Sequence, residues 1–153
     1  MSARVAWISY CPVKGLAIQQ LDRCELTEAG VAGDRQFFLV DENDRLVNSK
    51  GLGVLQQIVP QYDGEADSLT LTFPDGTAVA QQIGLNGSLN ALFWSTTVDV
   101  RVVDGPWSEA ISEFAGRTFG SSGPRRRPRI GYAAARPHSS GPAPCARWRG
   151  FSA

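Results

Sequence analysis

Ser68-Leu69-Thr70-Leu71-Thr72-Phe73, followed at once by Pro74-Asp75-Gly76, decides the fold class of this chain. Apolar and hydroxyl side chains alternate at period two, so a strand here has one buried face and one wet face. Pro-Asp-Gly is turn chemistry that sends the chain back through Ala78–Ile83 as a hairpin. Outward from this hairpin, Val98–Val103 alternates again, with Val98, Val100 and Val102 on one side. Ile58–Tyr62 reads as a strand, and so does Arg35–Asp41, a dense apolar and aromatic run. Asp41-Glu42-Asn43-Asp44 offers short polar side chains that bond their own backbone, and Leu46-Val47 returns beyond it. Val5–Tyr10 and Leu21–Thr27 are the first two strand candidates. Many short strands at near-regular spacing favour a barrel or sandwich over a βαβ fold. The spacing also predicts one helix. Pro106 suits a first helical position, Trp107, Ala110, Ile111 and Phe114 share a face, and Gly116 suits a left-handed end. The expected fold is mainly β: a small β-barrel of short antiparallel strands, one C-terminal amphipathic helix, then an irregular tail.

At 153 residues the chain is long enough for one domain with a proper core. Its apolar content is ordinary for a globular protein, no run reaches the length of a membrane span, and no basic-then-apolar leader opens it. The cytoplasm is the default location on these grounds. Cys11, Cys24 and Cys145 are unrelated in spacing and His138 is the single histidine, so a metal site is not expected. Cys11 and Cys24 read as reduced structural thiols.

The net charge of zero hides a division. Residues 1–116 carry seven Lys and Arg against all fifteen acids, 7 − 15 = −8, whereas residues 117–153 carry eight Arg and no acid, +8. The expected organisation is therefore 1–116 as the folded domain and 117–153 as an Arg/Pro/Gly/Ala-rich tail. Arg125-Arg126-Arg127-Pro128-Arg129 could neutralise phosphates of nucleic acid or a membrane surface. A passive disordered tail is a second reading. Arg without a single Lys, among Pro, Gly, Ala and Ser, also matches a GC-rich coding sequence read out of frame, and this third reading fits best.

Two short patterns carry chemistry. Tyr10-Cys11-Pro12-Val13-Lys14-Gly15-Leu16 puts a lysine after a proline bend. Gly30-Val31-Ala32-Gly33-Asp34-Arg35 puts an arginine after Gly-Asp. Lys14 as a compact charge and Arg35 as a planar fork can converge on a phosphate, and Gly15 and Gly33 let backbone N–H groups approach it. By spacing alone, Lys14 could equally be a surface lysine and Asp34-Arg35 a local ion pair.

These patterns resemble the N-terminal β-barrel domain of MOSC proteins, the family of molybdenum cofactor sulfurase C-terminal regions and amidoxime-reducing components. The resemblance runs from Val5 to about Phe119. Gly30 to Asp41 is its most specific block, while Tyr10–Lys14 carries one extra Cys. Asn48-Ser49-Lys50 stands where the family tends to have Thr-x-Arg, and Val98–Val103 with the Trp107–Gly116 helix also fits. The resemblance implies a barrel packed against a larger MOSC domain, with the molybdenum cofactor (molybdopterin) between them. It makes Lys14, Gly15, Arg35 and Lys50 the cofactor-binding candidates. Gly15 replaces the usual Ser and can offer only its N–H, and Lys50 lacks the fork of an Arg. The thiolate that serves molybdenum belongs to the MOSC domain, so no cysteine here is assigned to a metal and no residue is assigned to catalysis.

The reading that follows is a truncated or frame-shifted N-terminal barrel. Its parent would reduce N-hydroxylated compounds with an electron-transfer partner, or carry sulfur, and the chain alone is not expected to be catalytic. Its implied partner is a missing or separate MOSC domain. A protein-interaction module is the alternative from another class, and nucleic-acid binding through the arginine tail is a weaker third.

Overall fold

A computed structural model describes residues 3–28, 30–47, 49–119 and 129–132, with only the backbone of 117–119. The opening strands are β1 (Ile8–Tyr10), β2 (Val13–Lys14), β3 (Gln19–Leu21), β4 (Leu26–Thr27) and β5 (Gly30–Val31). Then come β6 (Phe37–Val40), a 3-10 turn at Gly53–Gln57, β7 (Val59–Asp63), β8 (Ser68–Thr72) and β9 (Ala78–Gln82). The last elements are β10 (Gly84–Phe93), β11 (Thr96–Asp104), the helix α1 (Trp107–Phe119) and β12 (Arg129–Tyr132). The chain is mainly β with one helix, as its alternating segments predict. Its ladders form four sheets and do not close on themselves as one continuous barrel among the described residues.

The largest sheet has the order β10-β11-β12-β6-β2 and is antiparallel except for β2, which runs parallel to β6. Phe37-Phe38-Leu39-Val40 is apolar without alternation because both faces of β6 are covered. Phe37 and Leu39 enter the main core with Val13, Val103, Trp107, Ile111 and Ile130. Phe38 and Val40 enter a smaller cluster with Ala91 and Val100 on the opposite face. The β7-β8-β9 meander turns Leu69 and Leu71 into the main core, as period two demands. The helix lays Trp107 and Ile111 on the same core, and the Trp107 indole N–H donates to the Leu69 carbonyl at 3.0 Å.

Three sequence expectations change. Leu21–Thr27 is not one strand: β3 ends at Leu21 and β4 begins at Leu26, because the intervening Asp-Arg-Cys-Glu run is polar and joins two separate small ladders. Gly116 does not end the helix, which runs on to Phe119, and Pro106 lies just before it with its carbonyl accepting from the Ala110 N–H at 3.1 Å. The irregular stretch expected from residue 117 is interrupted at Arg129–Tyr132, which forms the middle strand of the largest sheet. Ile130 is fully buried there, and Gly131 fits against Phe38 so closely that a Cβ would meet its ring at 2.5 Å. Arg129 pairs with Asp44. The remainder of the basic segment, with Arg125–Arg127, His138 and Cys145, lies outside the described residues.

Candidate functional site

The two motif turns are sewn together by backbone hydrogen bonds. The Arg35 N–H donates to the Cys11 carbonyl at 2.8 Å and the Phe37 N–H to the Pro12 carbonyl at 2.9 Å. In return, the Cys11 N–H donates to Asp34 Oδ1, also at 2.8 Å. Asp34 is thus a strut as well as a charge, and its other oxygen pairs with the Arg35 guanidinium. Parallel pairing of Val13 with Phe37 and Lys14 with Phe38 continues the contact outward. Residues separated by some twenty positions in the chain are thereby brought near enough for the Arg35 charge to act on Lys14.

The backbone at this junction is unusual. Gly15 has φ +96° and Gly33 φ +75°, a region that side chains rarely adopt. A Cβ on Gly33 would also lie 2.9 Å from the Tyr10 hydroxyl, so the Gly-Asp-Arg turn can sit against Tyr10 only with glycine there. Arg35 itself is left-handed at φ +51°, a conformation that costs an ordinary residue about 1–2 kcal/mol. Strain of this kind persists where the surroundings fix it and collects at ligand clamps.

Lys14 is half-buried, and its ammonium lies 4.5 Å from the centre of the Trp94 ring and 6.0 Å from that of Phe93. Burial holds its pKa below the ordinary lysine value, and the nearby Arg35 charge lowers it further. Arg35 is far more open, with 64% of its side chain exposed, so its bond to Asp34 leaves other guanidinium donors available. Two like charges in one corner, one desolvated, form a place that an anion would relieve.

Cys11 is buried, its thiol donating to the Val13 carbonyl at 3.0 Å, and burial with Asp34 pushes its pKa up, the profile of an inert thiol. Tyr10 is pushed up to about 12, chiefly by burial and then by Asp34. Tyr10, Tyr62, Glu25, Asp63 and Glu65 line an open cavity of about 640 Å³ whose three carboxylates make it unsuited to a phosphate. Among the described residues, no group of three His, Cys, Asp or Glu could hold a metal ion.

Of the four sequence-predicted residues, Lys14 and Gly15 follow one motif turn and Arg35 stands on the other, which is hydrogen-bonded to it. Lys50 is exposed on the turn after Val47, whose carbonyl oxygen lies 3.6 Å from where a Gly15 Cβ would sit, so the two loops are neighbours. Asn48 lies outside the described residues. The sequence did not reveal Trp94. It sits at the β10–β11 turn, and only the fold carries it to Lys14.

No helix among the described residues is long and apolar enough to cross a membrane. Comparison with curated proteins returned no match. The family model for the MOSC N-terminal beta barrel domain does match, over residues 2–119, which includes both motif turns, the Trp94 hairpin and α1. That match takes in most of the chain, and the chain belongs to the MOSC N-terminal beta barrel domain family.

Proposed function

We propose that the chain is the N-terminal half of a MOSC-type molybdenum cofactor site, in which Lys14 and Arg35 bind the cofactor's phosphate. The reading is supported by two cations on hydrogen-bonded turns with left-handed backbone, near enough for Arg35 to lower the pKa of Lys14. Lys14 supplies a point charge whose desolvation an anion would offset, and Arg35 supplies a fork already oriented by Asp34. The Gly15 N–H is a further donor at the same turn, and Lys50 adds positive charge from the adjoining loop. These residues suit a phosphate and supply no metal ligand set. When bound, the cofactor would bring a molybdenum redox centre, and the thiolate and opposite wall would come from a MOSC domain. The parent activity is either reduction of N-hydroxylated compounds, with an electron-transfer partner, or sulfur transfer. This chain contributes binding and orientation to it, not catalysis.

Titration calorimetry of the full chain with inorganic phosphate and with a molybdopterin-type ligand tests the assignment. Lys14→Ala and Arg35→Ala should each weaken binding about tenfold or more, the loss expected for a charge-assisted hydrogen bond. Binding that ignores both substitutions removes the proposal.

A second reading has its own observation. Val5, Trp7, Ile18 and Leu26 are all largely exposed around the small N-terminal ladders, with Val5 at 80%. Exposed apolar residues of this size suit a protein-interaction surface. Such a surface is compatible with docking a MOSC domain, and it does not depend on the cation pair.

A further inference from the structure

Trp94 is the most conspicuous residue that the phosphate reading leaves unexplained. It is 75% exposed, and its backbone is left-handed at φ +52°, where a bulky aromatic residue is out of place. Asn or Gly would satisfy the same turn without strain. Beside it lies a cavity of about 160 Å³ lined by Arg45, Leu46, Leu92 and Trp94. Lys14 does not line this cavity, although its ammonium lies 4.5 Å from the centre of the same indole.

The walls are joined by backbone hydrogen bonds. The Leu46 N–H donates to the Leu92 carbonyl at 3.0 Å and the Leu92 N–H to the Asp44 carbonyl at 2.7 Å, which fixes the Asp41–Val47 loop against β10. The nearby carboxylates are largely engaged. Asp41 Oδ1 accepts from the Asn43 and Arg45 N–H groups at 2.8 and 2.9 Å, and Asp44 pairs with Arg129. Glu42 is the exposed carboxylate on this turn without a bonded partner among the described residues. Among the described residues the Arg45 guanidinium has no carboxylate partner.

We propose that Arg45, Leu46, Leu92 and Trp94 form a binding site for a small planar aromatic carboxylate. The volume is about that of a cavity that takes one benzene ring. The indole offers a face or edge for the ring, the two leucines an apolar margin, and the Arg45 fork a planar match for the carboxylate. Lys14, 4.5 Å from the centre of the same indole, adds positive potential without lining the cavity. The site adjoins the Lys14–Arg35 corner but uses other residues, so it goes beyond the phosphate reading and does not rest on it.

Benzoate is the probe, with acetate and cyclohexanecarboxylate as controls for charge without a ring and for a ring without planarity. Binding to the full chain is followed by tryptophan fluorescence and by the indole N–H signal in NMR. Benzoate should bind about fivefold or more tighter than either control, and Trp94→Asn should abolish that preference. Asn tolerates the left-handed turn, so this variant is not expected to fail by unfolding. Arg45→Gln should weaken all three carboxylates. Equal affinity for benzoate and acetate, or a benzoate preference that survives Trp94→Asn, overturns the proposal. Phosphate titrations with Lys14→Ala and Arg35→Ala remain informative in every case, because those side chains do not line this cavity.

Discussion

The seam around Trp107 and the corner around Trp94 use the same side chain in opposite ways. Trp107 is fully buried, its N–H is satisfied by Leu69, and it fastens α1 to the β8 strand of the meander. Trp94 is mostly in solvent, strained at its backbone, and held by a lysine. The first is an element of stability and the second is a cost borne by the fold. The contrast teaches that an aromatic residue in a short β protein is informative when its backbone pays for it and its burial does not.

The seam should give the largest effect. Trp107→Ala should cost about 3–5 kcal/mol, measured as a fall in denaturant midpoint, because it opens a cavity and leaves the Leu69 carbonyl without its donor. A loss under 1 kcal/mol would break the comparison at its firm end. Next comes Gly131→Ala, which pushes a methyl into the Phe38 ring and should cost about 1–3 kcal/mol. Hydrogen exchange at β6 and β11 should accelerate together in that variant, since β12 lies between them. Unchanged exchange would mean that β12 does not carry the sheet.

How much of this was legible in the sequence depends on whether a strand's two faces differ. Ser68–Thr72 announced itself because one side is buried and the other wet. Val98–Val103 was legible through Val98, Val100 and Val102 on one face, although Val103 on the other face is buried as well. Gly84–Phe93 was not: most of it is exposed, its register shifts between Leu85 and Ser88, and Asn86, Gly87 and Asn90 are residue types that disfavour strands. Arg129–Tyr132 was hidden by its company, since the arginines and prolines before it masked a four-residue strand with one buried isoleucine. At the site, the glycine turns were readable as turns. That Lys14 and Arg35 could act on one ligand was suggested by family resemblance, and the Asp34 strut and the Trp94 wall have no spacing signature at all.

A smaller effect is expected from pH. The Tyr10 pKa is raised to about 12, so the folded chain keeps this proton where the unfolded chain has lost it. Its stabilising contribution is complete below about pH 10 and disappears as pH rises to about 12. Tyr10→Phe should flatten that part of the stability profile by about 1 kcal/mol, discounted for partial exposure. A slope that persists unchanged would assign it elsewhere. Smallest of all, Trp94→Gly should leave stability unchanged or raise it by up to about 1 kcal/mol, as relief of left-handed strain outweighs the lost contact with Lys14. A marked destabilisation would make Trp94 a structural residue like Trp107 and erase the distinction.

The position of β12 has a consequence for the chain as it is made. Its two neighbours, β6 and β11, are complete by Val40 and Asp104, yet the strand that joins them ends only at Tyr132. At about 5–20 residues per second, the ribosome leaves β6 waiting roughly 4–18 s for its partner. Throughout that interval Phe37-Phe38-Leu39-Val40 has an open hydrogen-bonding edge and two apolar faces, the profile of a segment that pairs with the wrong chain. A nascent chain of this kind has reason to need a chaperone early, and any slowing of synthesis between Asp104 and Arg129 would lengthen its exposure.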